Sequence, residues 1–188
     1  MAQEGRDWIR FGWAILPLMV IGAVLAIRYK PSDDAIARDL EVRFEEGAIE
    51  CRGIAYSCTW GPEVVHEGDI RQIVRAFNPQ APIITRDAVV TTGEFSNPDI
   101  VQIAPLKKGS TRWWAERRPE GTLVVLHLIP SSPEIQDFLE DLEEGDRAAF
   151  TGHEEADGRI ENSVGGFVAL GHANHKFLLV TGVEAVTH

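Results

Sequence analysis

GTLVVLHLIPSSPEIQDFLEDLEEGD, residues 121–146, holds a strand and a helix joined by clear stop and start signals. Gly121 to His127 is almost continuously apolar and β-branched, the composition of a buried strand. Ile129-Pro130-Ser131 ends it. Ser132 is a natural helix N-cap, its side-chain oxygen free to accept a backbone N–H. Pro133 suits N1, where the missing N–H costs nothing. Ile135, Phe138, Leu139 and Leu142 then form one apolar stripe of a helix, closed by Glu144-Gly145-Asp146.

Outward from this unit the pattern is mostly β. Further strands are expected at Arg147–Gly152, Gly158–Glu161, Gly166–Leu170 and Phe177–Val183 on the C-terminal side, and at Pro82–Ile84, Ala88–Thr91 and Ile100–Ile103 on the other. Ala48–Trp60 reads as one strand bent at Gly53. Gly68–Phe77 places Ile70, Ile73, Val74 and Phe77 at i, i+3, i+4 and i+7, which predicts a short amphipathic helix. Several short strands around one helix predict a mainly-β (α+β) domain over residues 41–188, a small oligonucleotide/oligosaccharide-binding (OB)-like or partly open barrel with one or two short helices.

Ahead of this domain, Phe11–Ile27 is a run of seventeen uncharged residues between Arg10 and Arg28, just long enough to span a bilayer. Trp8, Trp13 and Tyr29 stand where interfacial aromatic residues belong, and Gly12 and Gly22 provide small faces for helix packing. Residues 1–30 therefore read as a tail and single-pass transmembrane anchor, and residues 31–40 as a linker. Met1 to Lys30 carry four bases and two acids; removing these from totals of 18 and 29 leaves 14 bases against 27 acids in the rest. That balance disfavours nucleic acid as a partner. Arg6 and Arg10 are balanced by Arg28 and Lys30 across the run, and the free α-amino group and short tail tip the expectation to an inner (cytoplasmic) membrane protein of a bacterium with a periplasmic C-terminal domain.

The run from His127 through Ile129-Pro130, Ile135, Leu139 and Leu142 to Gly145-Asp146 and Gly152, following a single N-terminal anchor, resembles a group of uncharacterised bacterial membrane-anchored proteins with an OB-like C-terminal domain. The resemblance covers about a third of the chain. Such proteins often end in a serine-rich strand, an Arg-Asp-Thr-Gly turn and an Ala-Cys-Glu strand, where this sequence has Asn162-Ser163, no such turn, and Thr181-Gly182-Val183-Glu184. The resemblance implies an architecture and carries over no activity and no functional residue.

The strongest interaction signal is KKGSTRWWAERR, residues 107–118. Lys107, Lys108, Arg112, Arg117 and Arg118 surround Trp113 and Trp114 in an otherwise acidic domain, and tryptophan and arginine dominate binding hot spots. Against this stands the ordinary reading, one tryptophan in the core and the bases balancing an acidic helix. His153, His172 and His175 are the residue types of a zinc hydrolase site, although a spacing of three puts His172 and His175 on opposite faces of any continuous strand. His127, at the end of its strand, reads as a core histidine bonded to backbone. Cys51 and Cys58 form a bridge only if the chain turns between them.

No nucleophile elbow, phosphate-binding glycine loop, dinucleotide fingerprint or haem-attachment motif occurs in the sequence. The expectation is a non-catalytic protein without a cofactor, an accessory or structural subunit docked on integral membrane subunits of a larger respiratory, photosynthetic or envelope complex. The alternative is an anchored OB-like module for an envelope glycan, peptide or lipid.

Overall fold

The computed structural model describes residues 48–51 and 54–186. The expected anchor with Trp8, Gly12, Trp13, Gly22 and Tyr29, and the linker after it, lie outside the described residues. Among those described, no helix is long and apolar enough to cross a membrane.

The described part is mainly β. Its strands are β1 (Ala48–Cys51), β2 (Ile54–Ser57), β3 (Trp60–Arg75), β4 (Arg86–Gly93), β5 (Gln102–Ile103), β6 (Trp113–Trp114), β7 (Gly121–Pro130), β8 (Arg147–Glu155), β9 (Arg159–Asn162), β10 (Phe167–Ala169) and β11 (His175–Ala185). One helix, α1 (Pro133–Asp141), lies between β7 and β8. Ser132 caps it by accepting from the N–H of Ile135, with Pro133 in the first turn.

Five strands close a barrel in the order β3-β4-β7-β11-β8, with β8 returning to β3. All neighbours are antiparallel except β7 and β11, which run parallel. Closure satisfies both backbone edges of every barrel strand. A second sheet, β1-β2-β9-β10, and the small hairpin β5-β6 stand outside it.

Side-chain alternation sorts the strands into three cores. Ile70, Ala88, Leu126, Leu128, Phe150 and Leu178 point inward from all five barrel strands, and Leu139 and Leu142, on and just after α1, join them. On the outer face, Val89, Leu123 and Val125 are covered by Phe95, Val101 and their neighbours in the β4–β7 connection. Ile129, Phe177 and Leu179, also outer, are covered by Tyr56, Ile83 and Ile160. Strand β7 is thus buried on both faces, which is why GTLVVLH is a continuous apolar run rather than an alternating one.

Where a helix is expected at Gly68–Phe77, Gly68–Arg75 is instead the second half of β3, and Ala76 and Phe77 begin the connection to β4. The ladder to β4 shifts between Ile70 and Gln72, so that Arg71 is an extra residue. This bulge turns Ile70 and Ile73 to the same interior, an i, i+3 pair that imitates helical spacing. Arg71 and Gln72 serve the outer side: the Arg71 guanidinium donates to Phe95 O (2.6 Å), and Gln72 bonds Ala104 O (3.0 Å) and the N–H of Leu106 (2.6 Å). They tie the long β4–β7 connection to the barrel wall.

Within Ala48–Trp60, β1 pairs antiparallel with β2 as a hairpin in place of one bent strand, and Trp60 opens β3. Cys51 lies opposite Ile54, and Cys58 falls one residue beyond the far end of the ladder, where Ala48 meets Ser57. Four residues of extended chain separate the two along the hairpin, about 13 Å, well outside the Cα separation a disulfide allows. Burial, then the neighbouring Glu155 charge, pushes the Cys58 thiol up to about 12.

Candidate functional site

Between the two outer cores the barrel wall carries polar residues. Asp87 on β4 and His127 on β7 are cross-strand partners, and Phe177 on β11 is the register partner of His127 on the other side. All three face outward; Phe177 belongs to the core covered by Tyr56, Ile83 and Ile160, and Asp87 and His127 lie at its edge, outside both outer cores. Asp87, His127 and nearby His175 are buried, at 5%, 8% and 6% exposure. Burial of three such groups requires that they satisfy one another.

The Nδ1–H of His127 donates to Oδ1 of Asp87 at 2.7 Å. This fixes the ring orientation and sets Nε2 3.3 Å from Nδ1 of His175. His172 follows, its ring centroid 5.2 Å from that of His175. Phe177 packs against His127 with ring centroids 5.4 Å apart. Burial, then the His127 and His172 rings, lowers His175 to about 4, so that it is a neutral imidazole at physiological pH.

A tight turn holds His127 from above. Lys107 and Ser110 exchange backbone hydrogen bonds (2.9 and 3.2 Å), with φ of 53° at Lys108 and 70° at Gly109. Positive φ at both central positions is the two-residue hairpin geometry that favours glycine or asparagine. A Cβ at Gly109 would lie 2.9 Å from Cε1 of His127 and 3.3 Å from Oδ2 of Asp87, so only glycine lets the turn approach so closely. Lys108 is the sole non-glycine residue with positive φ among the described residues.

Above this floor opens a cavity of about 530 Å³. Phe77, Asn78 and Pro79 of the β3–β4 connection form one wall, Lys108 and Ser110 another, and Leu170 to His172, between β10 and β11, a third. Phe77 is 79% exposed, a bare aromatic ring at the rim.

The structure regroups the residues singled out in the sequence. His172 and His175 share the cavity with His127, but His153 is bonded through Nδ1 to Gly61 O (3.0 Å) on the β3–β8 side. Among the described residues no three His, Cys, Asp or Glu groups already converge as a metal site. His127 bonds a carboxylate and a second imidazole through its ring rather than backbone, correcting the sequence reading.

Neither tryptophan fills the core. Trp113 and Trp114 form β6 and are 43% and 53% exposed. Trp113 stands edge-on to Phe95 at 5.0 Å, and Nε1 of Trp114 donates to Oε1 of Gln102 at 2.8 Å. Arg112, Arg118 and Lys107 are exposed, Lys108 lines the cavity, and Arg117 pairs with Glu94, which also accepts the N–H of Glu120 (2.8 Å). The hydrogen bond from Arg117, then that backbone N–H, holds the Glu94 carboxyl below the ordinary carboxylate range.

Sequence reasoning missed Asp87. Its signal is faint: in RDAVVTT it shares a face with Val89 and Thr91, a carboxylate in a strand otherwise buried on both sides. Comparison with protein-family models, curated proteins and solved structures finds no match to this chain.

Proposed function

We propose that this chain is a membrane-anchored binding module with an OB-type barrel, and that the cavity over β4 and β7 takes an oligosaccharide of the cell envelope. The observation that carries this reading is the position of the cavity. Numbered within the barrel alone, β3, β4, β7, β8 and β11 are strands one to five, with the helix between the third and the fourth. The cavity lies on the outer face of strands two and three, walled by the one–two and four–five connections. Those are the face and the loops that barrels of this type use for oligonucleotides and oligosaccharides. The argument from fold to ligand is one of analogy.

The chemistry narrows the choice. A formal charge of -11 repels a polyanion, which leaves the sugar. Asn78, Ser110, His172 and Lys108 offer hydroxyl-binding groups around the cavity, and the open face of Phe77 suits the apolar side of a pyranose ring. The apolar run at residues 11–27 would hold the module at the inner membrane, with the barrel on the periplasmic side.

The test is a panel of envelope oligosaccharides screened by saturation-transfer NMR against the full chain in detergent. Binding to the wild type, lost in Phe77→Ala and His172→Ala but kept in Trp114→Ala, is the expected result. Absence of binding across the panel, or equal loss in all three variants, would overturn the reading.

A second reading has its own support: a tryptophan pair held exposed on a short hairpin beside Arg112 and Arg118. These residues suit docking on integral membrane subunits of a larger complex, with the chain as an accessory subunit. Co-purification of the tagged chain with stoichiometric partners, lost on Trp113→Ala/Trp114→Ala, is its expected outcome. Recovery of the chain alone would dispose of it.

A further inference from the structure

We propose that His127 and His175 are two ligands of a transition-metal site, of the zinc type, on the cavity floor, with His172 as the third and Asp87 as its outer partner. The distance between the two facing nitrogens carries the argument. Nε2 of His127 and Nδ1 of His175 face each other at 3.3 Å, a long hydrogen bond between two rings. Two imidazole nitrogens bound at about 2.0–2.1 Å to one tetrahedral zinc necessarily sit about 3.3–3.4 Å apart. The two rings stand at the ligand separation.

The tautomer is set for the same role. Metal-ligating histidines commonly donate their second ring N–H to a carboxylate, and His127 donates Nδ1–H to Asp87 at 2.7 Å. A metal placed between the two rings would take the position of the shared hydrogen, with the hydrogen of His175 on its outer nitrogen Nε2. The close turn at Gly109, against Cε1 of His127, and Phe177 on the other side fix the ring that must not swing.

His172 supplies what the two buried rings lack. It is exposed, follows Gly171, and its ring lies tilted against that of His175 with centroids 5.2 Å apart, so that a turn of its side chain would be needed to bring it to the shared centre. A fourth position would face the cavity, the arrangement of an open rather than a closed structural site. Lys108 in the cavity wall would favour an anionic or hydroxyl ligand there. The inference shares His172 and Lys108 with the sugar reading, but the two fail separately, because Phe77→Ala removes the sugar contact and leaves every proposed metal ligand in place.

The test is calorimetric titration of the full chain in detergent, stripped with a chelator, with zinc chloride, and cobalt chloride titration followed by visible absorption. Expected are one metal per chain and an intense tetrahedral cobalt spectrum. His127→Gln and His175→Gln should weaken binding at least ~100-fold, Asp87→Asn ~10–100-fold, and His172→Gln ~10-fold or more. His153→Gln and Phe77→Ala should bind as the wild type does. His172 is on an exposed loop, so His172→Gln keeps the fold and decides the matter if a buried variant fails to fold. Wild-type protein without one-to-one binding, His172→Gln with unchanged affinity, or His153→Gln as weak as His172→Gln would overturn the proposal.

Discussion

At Gly109 a single hydrogen atom separates the turn from the His127 ring. Gly109→Ala places a methyl 2.9 Å from Cε1 and strains a backbone at φ 70°. We expect a loss of about 1–3 kcal/mol in denaturant unfolding together with displaced His127 resonances. Wild-type stability and unchanged resonances would show that the turn does not clamp the ring. The Cys58 thiol, held up to about 12, stays protonated at pH 8. Iodoacetamide should therefore modify Cys58 at least ~10-fold more slowly in the folded chain than in urea, read by peptide mass. Glu94, held below its ordinary 4.5, has the opposite sense. Its stabilising contribution is present above the unfolded value and is lost as pH falls through the lower folded one. Glu94→Gln should accordingly flatten the acid limb of a stability–pH profile and leave its neutral–alkaline limb unchanged in slope.

Local signals decide elements. The start of α1 is legible because Ser132 and Pro133 act within one turn, and Ser132→Ala should cost about 1 kcal/mol of unfolding free energy. A cost near zero would mean that packing of Leu139, not the cap, sets the helix start. The strand from Gly121 is legible for a similar reason, since burial on both faces leaves an unbroken apolar run. Residues 68–77 are misread because a bulge at Arg71 converts period two into an apparent period of 3.6. Of the four residues in the apparent stripe only Ile70 and Ile73 face the interior, while Val74 and Phe77 are exposed. The β1–β2 hairpin is misread as one bent strand because its two strands lie so close in sequence that the strand-forming composition continues from one into the other.

Across the whole molecule, the interior core is composed of all five barrel strands and capped from α1, so damage anywhere in it should be global. Leu126→Ala and Leu139→Ala, both fully buried, should each lower stability by about 2–5 kcal/mol in one cooperative transition. Separate transitions for barrel and helix would contradict a shared core. The barrel is legible at coarse grain from several short strands and one helix. The candidate site is not, because it depends on register. Asp87 and His127 lie forty residues apart and meet only when β4 pairs with β7 in one alignment, and His175 arrives from the parallel strand β11. His172 and His175 are visible as a pair in the sequence, but His153, the third histidine the pattern suggests, faces Gly61 instead. The cluster of bases and tryptophans is legible as exposed chemistry. That Lys108 leaves it for the cavity wall follows from a turn whose geometry only the fold reveals.

The central claim, that the cavity over β4 and β7 is the working surface of this domain, is tested most directly by amide chemical-shift mapping of the full chain in detergent during oligosaccharide titration. The account predicts saturable shifts concentrated at Phe77–Asn78, Lys108–Ser110 and Gly171–His175. Shifts confined to Trp113 and Trp114, or none at saturating sugar, would contradict it.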